Sequence, residues 1–164
     1  MSKIADFVNA GLNYANRPKS FRDGDKFEDW VIQGFDKRYF DLLKRTSDSV
    51  QNSVRYAVGD RDYDFLMFDK WLKREFAVEC KYRSESGTVD LCTPEKFEHY
   101  KKVAASVPFF FVLGVGGKPN QPVDVFVIPI LKIKYSRFVC GSDFAKRFSL
   151  DVDFIYSNHL WSGF

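Results

Sequence analysis

Residues 107–116, VPFFFVLGVG, carry no charged or hydrogen-bonding side chain. The run has the length of a strand, and it is apolar at every position rather than at every second one. Such a strand is buried on both faces, so its sheet needs a covering layer on each side. The rest of the chain supplies the layers. Helix, hairpin strands, helix, buried strand, strand and short helix follow one another, which reads as an α/β fold with a central mixed β-sheet flanked by α-helices.

Ile4, Phe7, Val8, Gly11 and Leu12 recur at helical spacing and predict a first amphipathic helix that ends near Pro18. Residues 23–44, DGDKFEDWVIQGFDKRYFDLLK, read as one long helix capped by Asp23 or Asp25. Phe27, Val31, Phe35 and Leu42 form its apolar stripe. The period then changes to two. YDFLMF (63–68) is a strand, DKWLKR (69–74) a turn or wide hairpin loop, and EFAVECKYR (75–83) the next strand. SESG (84–87) is a turn, and TVDLC (88–92) a further short strand. Thr93 caps a helix with Pro94 at its first position and Lys96 at its third. VDVFVIPI (123–130) is a strand stopped by Pro129, and a short helix follows Ser142. The 164 residues are expected to form one domain, with a core over about 23–130 and a C-terminal extension over 131–164. Tyr135, Phe138, Tyr156 and Trp161 in that extension cover the core or a dimer interface, or stack on bases.

Composition narrows the function. Three cysteines without a CxxC argue against a disulfide framework or a zinc site and for a reducing, cytoplasmic setting. No signal peptide is evident, and no apolar run is long enough to span a membrane. A net charge of +3 permits a polyanionic partner without arguing for one. GVGGKPN (114–120) lacks the spacing of a phosphate-binding loop and precedes no helix.

The charges inside the strands say more. In 75–83, Glu75, Ala77, Glu79, Lys81 and Arg83 share one face, and Phe76, Val78, Cys80 and Tyr82 form the packed one. Glu79 and Lys81 stand ~6.5 Å apart along the strand, within reach of one small ligand. Strand 63–68 is apolar except at Asp64 near its start, with Asp62 two residues earlier. If the two strands pair across 69–74, Asp64 arrives beside Glu79 or Lys81. Glu28 falls on the core-side arc of the long helix, where a carboxylate is costly unless paired or metal-bound. Two carboxylates plus backbone and water oxygens suit a hard divalent cation, which neutralises phosphate charge and acidifies a bound water. Lys81 would then stabilise charge on a phosphate. The competing reading of each residue is an ordinary solvated charge, with Asp64 as a turn cap and Lys96 as a snorkelling lysine. Arg55, Arg61, Lys70, Lys73 and Arg74 crowd the first hairpin, as a basic rim for a nucleic-acid backbone or as a solvated turn.

Glu28, then Asp64, then Glu79-Cys80-Lys81 on the second strand of a hairpin resembles the PD-(D/E)XK nuclease superfamily. The helical glutamate is most similar to the Holliday-junction-resolvase and related restriction-endonuclease-like branches. Tyr63 stands where the motif's name has proline. The resemblance spans Lys26 to about Pro129. It implies a restriction-endonuclease-like core and a metal-dependent nuclease acting on DNA. Asp64, Glu79 and the Cys80 carbonyl would hold Mg²⁺, for which Mn²⁺ substitutes, and Lys81 would be the catalytic lysine. Glu28 would be the first-helix acid, binding a second ion or orienting water. Arg83 and Lys96 would touch substrate. A homodimer, or a protein partner that supplies specificity, suits so short a chain. The rival function is a non-catalytic nucleic-acid-binding or protein-interaction module on the same fold.

Overall fold

The computed structural model describes residues 15, 18–46, 63–151 and 153–162. The helix expected over residues 4–12, Asp62, Arg55 and Arg61 lie outside the described residues. Helix α1 spans Lys19–Gly34, with Pro18 at its N-cap position. It starts earlier than the aspartates imply, and Asp23 and Asp25 lie inside it. Phe27, Val31 and Phe35 recur every four residues and are buried.

The helix does not continue to residue 44. Phe35 is extended, with φ −79° and ψ 113°. Asp36 then anchors a turn, accepting from the Arg38 backbone and guanidinium. Residues Phe40–Arg45 form strand β1. The reason is Phe40, which is 2% exposed and packs edge-on against Phe35 and Phe76 at 5.2 and 5.7 Å. Burying that ring between sheet and helix outweighs the helical preference of the surrounding residues. Leu42, expected on the helix stripe, is 42% exposed on the strand instead.

The main sheet has the order β1-β2-β3-β5-β6. Strands β2 (Phe65–Asp69) and β3 (Arg74–Arg83) form the expected hairpin around residues 70–73. Strand β1 adds antiparallel at the outer edge, with a bulge between Leu42 and Lys44. Strand β5 (Phe109–Val115) lies parallel to β3. The crossover holds strand β4 (Thr88–Asp90) and helix α2 (Pro94–Ala104). Thr93 caps α2 by accepting the Lys96 N–H at 3.3 Å. Strand β6 (Asp124–Pro129) closes the other edge.

Every residue of β5 is buried, as its continuous apolar run requires. Phe110 and Val112 join Phe27, Val31, Phe76 and Val78 under α1. Phe109, Phe111 and Leu113 join Ala77, Phe97 and Tyr100 under α2. The Ala77–Glu79 face of β3 is therefore packed too, not open as its charges imply. Gly114 marks the closest approach of α1 to the sheet. A Cβ there would stand 2.4 Å from the Phe27 ring.

The C-terminal residues contribute to both layers. Strand β7 (Arg137–Val139) pairs with β4 as a separate two-stranded ribbon, so 88–92 does not extend the main sheet. Helix α3 (Asp143–Lys146) follows the Ser142 cap as expected. Helix α4 (Ser157–Trp161) has no sequence forecast. Asp69, fully buried, ties α4 to the hairpin. Its Oδ1 accepts from the Trp71 and Leu72 N–H groups, each at 2.9 Å. Its Oδ2 accepts from Ser157 Oγ at 2.7 Å and Trp161 Nε1 at 2.9 Å. Trp161 packs on Phe76 and Phe110, and the Arg74 guanidinium stacks 3.3 Å over it. Among the described residues no helix is long and apolar enough to cross a membrane.

Candidate active site

The site forms where the β2–β3 ladder ends. Regular pairing stops at Phe65↔Val78. The next bond, from Asp64 N–H to Val78 O at 3.0 Å, is offset by one residue. Cys80 N–H points toward the same side and is met by a side chain: Asp64 Oδ2 accepts it at 2.7 Å. In a strand, the N–H and C=O of one residue point the same way. The Cys80 carbonyl therefore faces the gap that holds the Asp64 carboxylate.

Glu79 is 3% exposed and sits among the apolar residues under α2. Its Oε1 accepts from Tyr100 O–H at 2.7 Å and from Lys81 Nζ at 2.5 Å. Lys96 Nζ stands 3.7 Å from the same oxygen. Glu28 reaches the site from α1 and is ion-paired through Oε2 to Arg45 at 3.2 Å. Arg45 also pairs with Asp29 at 2.7 Å and lies over the Phe65 ring.

Electrostatics show that the three acids share one space. Burial, then the Glu79 and Glu28 charges, push the Asp64 carboxyl well above the usual carboxylate range. Asp64 keeps only a partial exposure toward the cleft. Burial alone would pull the Lys81 ammonium down, but the Glu79 and Asp64 carboxylates hold it above its ordinary value. Burial and the Glu79 charge push the Tyr100 hydroxyl far up, so it stays a proton donor. Burial likewise pushes up the Cys80 thiol, which points into the α1 core.

A cleft of about 570 Å³ opens between the first half of α1 and the ends of β2 and β3. Glu28, Asp64, Glu79, Cys80, Lys81, Arg83 and Lys96 all line it. Arg83 is held by backbone carbonyls, donating to Asp90 O and Tyr82 O. Lys70 pairs with Asp41, away from the cleft. Two residues go beyond the sequence reading. Tyr100 is one: its phenol is buried and so needs a hydrogen-bond partner, which is Glu79. Arg45 follows the helix expected over 23–44 and instead ends strand β1.

Among the described residues, no group of three or more His, Cys, Asp or Glu side chains is placed to hold a metal by itself. The oxygen donors present nevertheless fit Mg²⁺, which binds through one or two carboxylates and keeps several waters. Asp64, Glu79 and the Cys80 carbonyl supply such a set, and the mutual repulsion of the acids favours a cation among them.

No protein-family model matches the chain, and no curated protein matches its sequence. Among solved structures, it is similar to Hjc, a Holliday junction resolvase from the archaeal hyperthermophile Archaeoglobus fulgidus. The TM-score is 0.52 at 14% identity, covering 79% of this chain and 91% of the resolvase. The fold is restriction-endonuclease-like. At this identity the likeness is one of architecture, and the chemistry of this restriction-endonuclease-like chain rests on the cleft side chains.

Proposed function

We propose that the chain is a divalent-metal-dependent nuclease that hydrolyses DNA phosphodiester bonds, acting as an endonuclease. The observation that supports this reading is the convergence of Glu28, Asp64, Glu79 and Lys81 on one cleft at the end of the β2–β3 hairpin. Asp64, Glu79 and the Cys80 carbonyl would hold Mg²⁺, or Mn²⁺ in its place. When bound, the ion supplies charge neutralisation at the phosphate and lowers the pKa of a water.

The chain's own groups do the rest. Tyr100 and Lys81 fix the Glu79 carboxylate from opposite elements. The Lys81 ammonium stabilises charge developing on the phosphoryl oxygens. Glu28 orients the attacking water, with Arg45 positioning its carboxylate. Lys96 and Arg83 bind the flanking phosphates. Water attacks phosphorus in line, the 3′-oxygen leaves, and the product keeps a 5′-phosphate.

The test is a panel of linear, nicked, flapped and four-way DNA, incubated with Mg²⁺, Mn²⁺ or a chelator. Chelation should abolish cleavage, and Lys81→Ala should lower it by ~10²-fold or more. Cleavage indifferent to both would refute the mechanism. Binding without any cleavage would favour the non-catalytic module.

A further inference from the structure

A second groove of about 540 Å³ adjoins the catalytic cleft. Its walls are the β4–β7 ribbon and the start of α2, and Arg83, Asp90, Thr93, Ser136 and Arg137 line it. Arg83 lines both spaces, so the two meet at one side chain.

The charges of the groove are arranged around Asp90. Arg83 donates Nε and Nη2 to the Asp90 carbonyl and Nη1 to the Tyr82 carbonyl. These contacts fix the guanidinium without neutralising it, and no described carboxylate is in ion-pair contact with it. Among the described residues the Arg137 side chain bonds through Nε to Asp90 Oδ1 at 2.8 Å, with its side chain 70% exposed and the aspartate 66% exposed. An exposed pair of this kind is weak and readily exchanged. Its Nη groups are not part of that bond. Lys96, half-exposed and 3.7 Å from Glu79 Oε1, lines the cleft on the other side of Arg83. Cations running from Lys96 through Arg83 to Arg137, flanked by the Ser136 and Thr93 hydroxyls, match the phosphates of an extended strand.

We propose that this groove is a phosphate-backbone track that guides a nucleic-acid strand to or from the catalytic cleft. The strand's chemical class rests on the nuclease reading. The ribbon that forms the track includes β7, from the C-terminal part of the chain. Asp90 acts as a placeholder, holding Arg137 in the groove until a phosphate replaces it.

The test measures binding of a short fluorescent DNA oligonucleotide in chelator, over a range of salt concentrations. Arg137→Gln should weaken binding and reduce the slope of log affinity against log salt by ~0.7–0.9, the value of one phosphate contact. Arg137→Lys should restore the slope. Asp90→Asn should tighten binding, a gain that loss of structure cannot produce. Lys146→Gln removes the same charge from α3, outside both spaces, and should leave the slope unchanged. Equal slopes for Arg137→Gln and wild type, or no binding by wild type, would overturn the track. Metal-dependent cleavage with an unaltered Arg137→Gln slope sinks the track alone. An altered slope without any cleavage upholds the track and sinks the nuclease reading.

Discussion

Asp64 carries two duties that conflict in the metal-free protein. Its Oδ2 completes the hydrogen bonding of the β2–β3 hairpin through Cys80 N–H, while Glu79 and Glu28 repel its charge. A carboxyl whose folded-state pKa is raised binds protons more tightly when folded. Its contribution to stability therefore falls as pH climbs from the unfolded value, ~3.9, to the folded one. Asp64→Asn keeps an oxygen for Cys80 and removes the charge. In chelator at neutral pH it should raise Tm by ~2–4 °C while abolishing cleavage, as thermal unfolding and the DNA panel would show. A lower Tm would mean that the repulsion is already relieved. The sequence made this residue legible because a lone acid in an apolar strand is conspicuous. It did not show Tyr100 as the donor to Glu79, since a tyrosine on a buried helix stripe has the same pattern whether or not its hydroxyl meets a carboxylate.

At the scale of elements, the strand β5 and the helix α2 were readable and the end of α1 was not. An unbroken apolar run and a Thr-Pro start are local signals. Residues 36–44 have helix-compatible local chemistry, and only the pocket between Phe35 and Phe76 draws Phe40 into a strand. That pocket is assembled from segments about 40 residues apart, so no window of sequence displays it. The placement of α1 depends on an equally remote contact, between Phe27 and the bare backbone of Gly114. Gly114→Ala should destabilise the fold by ~1–3 kcal/mol by overpacking, read as a shift in denaturant midpoint. Because Glu28 follows Phe27, the residual folded protein should also cleave more slowly. Unchanged stability would show that the helix can lift from the sheet at no cost.

Across the whole molecule, Asp69 joins the β2–β3 hairpin to the C-terminal helix α4. Burial alone would raise its carboxyl, but donors from Leu72, Ser157, Trp161 and Trp71 hold it below the usual range. A depressed folded-state pKa gives stability that is complete above the unfolded value and is lost as pH falls through the folded one. Asp69→Asn leaves donors facing an amide and should cost ~1–3 kcal/mol at pH 7, with the gap to wild type closing in acid. A gap independent of pH would assign the loss to packing. The bulge in β1 has a different consequence. Between Leu42 and Lys44 the rungs change step, so a strand arriving from another copy finds no continuous template along that rim. A bulged edge of this kind is a poorer template for edge-to-edge pairing than a straight one, so pairing of sheets through the exposed Leu42 and Leu43 should be disfavoured.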